Sequence, residues 1–257
     1  MRTLLALTLT GMSFGQAVPP TPPSPTQPPS VVDREISWKR LAPNLIEDQK
    51  HIWSLPARLV RGQDLVPFAA VLGTTGALLT LDPHEGSYFR NTTAFQGFNK
   101  VFGSTQTAVG TALLPASFYV AGLIRSDSKM KGTALLAGEA VADAEILATV
   151  MKDASKRARP TDIGLNGNYW DTWWDNPGNA LHGTGSFPSG HSIAAFSVAT
   201  VFSRRYGKTH RWVPYAAYGL AGLVGFSRLT LSAHFVSDVF MGGALGYTIG
   251  RFSVLRQ

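Results

Sequence analysis

Between Phe226 and Asp238 the chain reads Phe226-Ser-Arg-Leu-Thr-Leu-Ser-Ala-His234-Phe-Val-Ser-Asp238, placing an arginine, an imidazole and a carboxylate close together. His234 and Asp238 are four residues apart, a spacing that shares one face of a helix. A carboxylate so placed can hold one ring nitrogen and leave the other as a fixed lone pair aimed at a substrate. Arg228 adds a planar, permanently charged fork suited to phosphate. Taken alone, a helix start with a chance His/Asp pair would explain the stretch equally well. Two upstream stretches change that balance. Lys152, Lys156 and Arg159 follow helical spacing, and Pro160 ends the helix they predict. Gly185-Ser-Phe-Pro-Ser189-Gly190-His191-Ser192 stands just before the apolar run Ile193 to Phe202, which reads as a helix N-terminus with unpaired N–H groups and His191 in its first turn. Cationic side chains, a helix N-terminus and two histidines converging on one point describe a site for a tetrahedral oxyanion.

In order, Lys152-x6-Arg159-Pro160, Pro188-Ser-Gly-His191 and Ser227-Arg228-x5-His234-x3-Asp238 resemble the three signature motifs of the type 2 phosphatidic acid phosphatase and vanadium haloperoxidase superfamily. The resemblance covers residues 65 to 250 or so, and the triple match is far more specific than any one motif. It implies an all-α fold, a six-helix bundle, and a phosphatase working through a phosphohistidine. By the same resemblance His234 is the nucleophile, Asp238 orients it, and His191 is the general acid for the leaving alkoxide. Lys152, Arg159 and Arg228 would bind phosphate oxygens, helped by the Ser189 hydroxyl and the Gly190 N–H. Lys156 falls outside the signature and reads as a peripheral charge. No cofactor is implied, and Asp171 with Asp175 resembles a metal pair only superficially. The alternative within the superfamily is a vanadate-holding haloperoxidase, but those enzymes are much longer. The substrate stays open among a phosphorylated small molecule, a lipid phosphate and a lipid diphosphate.

The elements that must position these residues are helical. Apolar segments at 65–81, 106–124, 133–151, 191–206, 212–226 and 235–250 predict six helices, with Asp82-Pro83-His84-Glu85-Gly86 closing the first. Glu139 and Asp143 on the third demand a wet face or buried partners. Gly242, Gly243, Gly246 and Gly250 on the sixth permit close helix crossings. Between the first two motifs, Tyr169-Trp170-Asp-Thr-Trp173-Trp174 in a turn-rich loop reads either as a wall of the substrate site or as a plug at one end of the bundle. Ahead of the 65–251 domain, residues 1–17 read as a signal peptide, 18–38 as a proline-rich linker, and 39–64 as an amphipathic arm broken at Pro56 and packed on the bundle.

The absence of cysteine excludes disulfides and thiolate metal sites. A net charge of +7 invites a nucleic-acid partner, but no basic cluster with interleaved aromatics supports one. The leader predicts export, to the periplasm or to the cell membrane with the site facing the periplasm. Membrane association is left open, because the signals conflict. Six spans after a cleaved leader would put Lys152 in the cytoplasm. The basic loops at 125–132 and 204–211 would put it outside.

Overall fold

The computed structural model describes residues 35–175 and 182–255. The leader and most of the linker expected at 1–34 lie outside the described residues, as do Pro177 and Gly178 of the tryptophan-rich loop. Ten α-helices are present among the described residues: α1 Leu41–Trp53, α2 Leu55–Val60, α3 Leu65–Leu79, α4 Asp82–Asn91, α5 Gln96–Val101, α6 Ser104–Ile124, α7 Ser128–Ser155, α8 Gly190–Tyr206, α9 Trp212–Thr230 and α10 Val236–Thr248. The last continues into a wide π-helical turn, Ile249–Val254.

The fold is all-α, with α8 at its centre packed against α7, α9 and α10. Leu136, Ala140, Ala144 and Leu147 of α7 meet Ile193, Ala194, Val198 and Val201 of α8, and Ile249, Val254 and Leu255 close this core. Alanine dominates α7, which holds its axis close to α8. The approach of α10 to α8 is tighter still. A Cβ at Gly242 would stand 2.7 Å from the Ser189 carbonyl, and one at Gly246 would stand 2.9 Å from the Ser197 nitrogen. Backbone cannot rotate away as a side chain can, so these positions require glycine.

Two local features decide where the chemistry sits. Asp127 caps α7 by accepting from the Met130 N–H at 3.0 Å. At its far end α7 stops at Ser155, and Lys156 takes a left-handed conformation with φ of 43°. The helix expected to carry Lys152, Lys156 and Arg159 on one face therefore ends before Pro160. Arg159 follows in extended backbone. Likewise Asp82-Pro83 does not close a helix into a turn. The chain bends by 54° and starts α4, with Pro83 in the first turn, where its missing N–H costs nothing.

The arm breaks at Ser54, with Pro56 in the first turn of α2, and α1 lies along α7. Asn44 Nδ2 donates to Glu139 Oε1 at 3.0 Å, and Gln49 Nε2 donates to Asp143 Oδ1 at 2.8 Å. The two buried carboxylates of α7 thus have polar partners from the arm, which offsets their desolvation.

Candidate active site

α7 ends where α8 and α10 begin, so the C-terminal turn of one helix and the N-termini of two others meet. Lys152 occupies the last turn of α7. Its ammonium lies beside the first turn of α8, where a Cβ at Gly190 would stand 3.4 Å from Nζ. Ser189 caps α8. It is fully buried, and its Oγ accepts from the Ser192 hydroxyl at 2.9 Å and from the Ser192 N–H at 3.4 Å. The Ser189 N–H donates to the Asp238 carbonyl at 3.0 Å, which ties the N-terminus of α8 to the first turn of α10.

His234 precedes α10 in a buried loop. Its Nδ1 lies 2.6 Å from the Ser186 carbonyl oxygen. A carbonyl can only accept, so Nδ1 carries the proton and the lone pair is on Nε2. Asp238 Oδ2 stands 3.7 Å from the same nitrogen. Its closer partners are the Ser186 hydroxyl at 2.6 Å and the Phe235 N–H at 2.9 Å. The expected His234–Asp238 pairing is therefore electrostatic rather than a direct hydrogen bond, and a main-chain carbonyl holds the ring. Nor do the two residues share a helix face. Asp238 lies in the first turn of α10, while His234 lies before it.

Burial drives His234 down to about 4, against the opposing pull of Asp238 and with Arg159 and Lys152 adding to the fall. The imidazole is neutral at physiological pH. Burial would raise Asp238, but the charge of Arg157, the neighbouring His234 and the hydrogen bond from the Ser186 hydroxyl outweigh it and hold the carboxyl below the usual range. Lys152 is lowered by burial and then by the charge of Arg159.

His191 sits in the first turn of α8 with Nε2 3.1 Å from the Ser104 carbonyl, at the start of α6. Burial and then Arg228 lower it to about 4, and His234 and Lys152 are among its electrostatic neighbours. Arg228, at the end of α9, donates through Nη1 to Ser104 Oγ at 3.0 Å and through Nη2 to the Phe102 carbonyl at 2.8 Å. Arg159 lies within electrostatic reach of Arg228, Lys152 and His234, and its Nε donates to the Thr184 carbonyl at 3.2 Å. The structure thus gathers Lys152, Arg159, Ser189, Gly190, His191, Arg228, His234 and Asp238 at one end of the bundle.

Sequence reasoning missed four residues there. Arg157, two per cent exposed, pairs with Asp238 Oδ1 at 2.6 Å and with Asp82 Oδ2 at 2.7 Å. Asp82 opens α4 and also accepts from the Ser237 N–H at 3.1 Å. Ser186 holds both His234 and Asp238, and Ser104 touches both His191 and Arg228. The Asp-Pro start of α4 is a recognisable helix opening, whereas no local pattern announces a partner 75 residues away. The tryptophan loop contributes inward and outward at once. The Trp173 ring lies 4.7 Å from the Arg157 guanidinium and packs on Phe187, while Trp170 and Trp174 are 65% and 75% exposed. Among the described residues no group of three or more His, Cys, Asp or Glu side chains could hold a metal ion.

Comparison with known proteins adds three findings. The model of the PAP2 superfamily matches residues 132–257, a span that contains all three motifs. A lipid A 1-phosphatase from Porphyromonas gingivalis is 42% identical over 65 residues, which is 25% of this chain and 15% of that relative's length. A crystal structure of a transmembrane PAP2 type phosphatidylglycerolphosphate phosphatase from Bacillus subtilis superposes with a TM-score of 0.46 at 20% identity. The superposition covers 71% of this chain and 91% of the other.

Proposed function

On the premise that this chain, through residues 132–257, belongs to the PAP2 superfamily, we propose that it is a metal-independent phosphatase of lipid phosphates working through a phosphohistidine. One observation carries the reading. His234 is buried and neutral with its proton fixed on Nδ1, Lys152 and Arg159 lie within its electrostatic reach, and Arg228 stands beside Arg159 and His191. Nε2 attacks phosphorus and the bond to the leaving oxygen breaks, with the equatorial charge taken up by the three cations and by the N-terminus of α8. The leaving alkoxide takes its proton from His191. Water then attacks the phosphohistidine, gives a proton back to His191, and inorganic phosphate departs as His234 regains its lone pair.

His191 needs loading before it can act as an acid. In the empty site it is neutral, with its one proton on Nε2 directed at the Ser104 carbonyl. A substrate dianion among Lys152, Arg159 and Arg228 offsets the charges that depress it, so the imidazole rises toward its ordinary range when substrate binds. The acid is thus charged by the substrate it serves.

A groove of about 280 Å³ supports a lipid rather than a soluble substrate. Phe102 and Gln106 line it, and between them in the chain stands the Ser104 that touches His191 and Arg228. Thr107, Gly110 and Leu114 of α6 form one wall, Ala217 and Ala221 of α9 the other, and Ala195 and Ala199 of α8 the floor. This apolar lining suits a hydrocarbon chain, with the Phe102 and Gln106 end beside the residues that would hold the phosphate.

The membrane reading rests on α6, which is long and apolar enough to cross a bilayer and whose most apolar window is only 17% buried. Exposed Trp170 and Trp174 at the site end, and Trp212 and Tyr215 at the other, suit the two interfaces. The basic loops join at the end opposite the site, where Arg205 Nε donates to Thr133 Oγ1 at 3.1 Å and Lys129 lies over the Tyr206 ring. Positive charge there favours a cytoplasmic location for that end and a periplasmic one for the site. The exported, periplasm-facing site is part of this proposal.

The test uses the detergent-purified chain with a long-chain lipid phosphate and with p-nitrophenyl phosphate. Hydrolysis of both, resistant to a strong chelator and blocked by orthovanadate, is expected. Activity lost to the chelator and restored by a divalent ion would overturn the metal-free mechanism, and peroxide-dependent halide oxidation without hydrolysis would favour the haloperoxidase alternative.

A further inference from the structure

Arg157 is one of two almost fully enclosed arginines beside the site, and the one of them that meets carboxylates. Nε donates to Thr172 Oγ1 at 3.1 Å, Nη1 donates to Asp238 Oδ1 at 2.6 Å and to Ser237 Oγ at 2.8 Å, and Nη2 donates to Asp82 Oδ2 at 2.7 Å. Its two flanking rings are Trp173, at 4.7 Å, and Phe235, at 4.2 Å. With two carboxylates and two hydroxyls occupying its nitrogens, Arg157 is committed to this cluster rather than to a phosphate. It needs another explanation.

The main chain supplies one. The Arg157 carbonyl accepts from the Ser186 N–H at 2.7 Å. The Ser186 carbonyl in turn holds His234 Nδ1, and the Ser186 hydroxyl holds Asp238 Oδ2. Both supports of the histidine, the carbonyl that sets its tautomer and the carboxylate behind it, therefore trace back to one residue. We propose that Arg157 is a positioning residue for the nucleophilic histidine: its guanidinium fixes the charge and place of Asp238, and its main chain fixes Ser186, whose carbonyl sets the tautomer of His234. The role rests on the phosphatase reading above.

Asp82 holds the far side of the guanidinium, so that the fork is fixed against Asp238. When Nε2 takes the phosphoryl group the ring becomes cationic, and Asp238 behind it balances that charge in a medium where water is excluded. Geometry explains the choice of arginine. A planar fork spans Asp82 on α4 and Asp238 on α10 simultaneously, whereas an ammonium on a flexible stem offers one nitrogen.

The test compares Arg157→Lys, Arg157→Gln and Asp82→Asn with the full-length enzyme in detergent, using p-nitrophenyl phosphate for kinetics and quench-flow for the phosphoenzyme. Both Arg157 variants should keep KM within about threefold and lose about 10²-fold in kcat and in the rate of phosphohistidine formation, as expected when a transition-state support is removed without loss of binding. Asp82→Asn keeps the Arg157–Asp238 pair and should lose less than tenfold. Because Arg157→Gln leaves two carboxylates facing each other in the interior and can fail to fold, the ring is read directly as well. Histidine labelled with ¹⁵N should show His234 as the Nδ1–H tautomer in the wild type and as a tautomer mixture in Arg157→Lys, where Asp238, no longer fixed by the fork, releases the Ser186 hydroxyl and with it the loop that presents the Ser186 carbonyl. A scaffold-only role predicts equal losses for Asp82→Asn and Arg157→Lys, proportional to the folded fraction, with the tautomer unchanged. That pattern overturns the proposal. A wild type that hydrolyses substrate without phosphohistidine removes the phosphatase mechanism, and this role with it, while leaving the tautomer measurement intact to tell the two failures apart.

Discussion

Adding one methyl group at Gly246 should cripple the enzyme, while the same change three residues away should not. A Cβ at Gly246 would stand 2.9 Å from both Phe196 Cβ and the Ser197 nitrogen, and closer still to the Ile193 carbonyl oxygen. Ordinary contact begins near 3.4 Å, so α8 and α10 must separate by about 0.5 Å or more. At Gly243 the nearest atoms are those of the Phe196 ring at 3.5 Å, which is ordinary contact. Both substitutions gain about 1 kcal/mol of helix propensity. Overpacking at Gly246 costs about 1–3 kcal/mol, so Gly246→Ala should be less stable than Gly243→Ala by about 2 kcal/mol. For a domain of this size that is a Tm difference of about 4–8 °C. The function follows, because α8 carries His191 and α10 carries Asp238. A misplacement approaching 1 Å costs about 10²-fold, and kcat of Gly246→Ala should fall by about 10- to 10²-fold, with Gly243→Ala near wild type. Thermal unfolding in detergent and p-nitrophenyl phosphate kinetics measure both. Equal Tm and equal rates for the two variants would refute the close-crossing argument.

Three further outcomes are expected. His191→Ala should lose about 10²- to 10⁴-fold on an alkyl phosphate but much less on p-nitrophenyl phosphate, whose leaving group is stable as the anion; equal losses in steady-state assays would remove the acid role. Gly110→Leu should plug the groove beside α6, where a Cβ meets nothing within 4 Å. Long-chain lipid phosphate should then lose about ten- to hundredfold in kcat/KM while p-nitrophenyl phosphate is spared, and a loss on both substrates, or on neither, would count against the chain slot. In the empty enzyme neither His191 nor His234 should take up a proton between pH 7 and pH 5, since both are lowered to about 4 and a lowered imidazole stays neutral until the pH falls to that value. Orthovanadate should raise His191 toward its ordinary range in an NMR titration, and a His191 already protonated at pH 6 without ligand would contradict the loading argument.

Much of this arrangement is legible in the chain because local rules produce it. Ser189 before the apolar run from Ile193 is a helix cap, and the glycines of α10 mark its contact with α8. The rest depends on long-range pairing that no period reveals. Lys156 continues the helical spacing from Lys152, yet its left-handed backbone breaks the register, so that Arg157 turns into the interior instead. Asp82 opens a helix in the structure because Pro83 is tolerated in a first turn, although the Asp-Pro-His-Glu-Gly run also reads as a turn. Its partner Arg157 is visible only once α4 and α10 are side by side. His234 and Asp238 sit at helical spacing without sharing a helix, and only the folded loop shows that the Ser186 carbonyl holds the ring. The polar partners of Glu139 and Asp143 come from Asn44 and Gln49 in the arm, again across nearly a hundred residues.

The identity of the nucleophile is the central claim, and a quenched turnover tests it most directly. Enzyme mixed with p-nitrophenyl phosphate and stopped in alkali within the first turnover should carry one phosphate that is stable to base and labile to acid, and peptide mapping should locate it on His234. It should accumulate in His191→Ala with an activated substrate and be absent from His234→Ala. Phosphate on His191, or rapid turnover with no phosphoprotein in the wild type, would contradict the account.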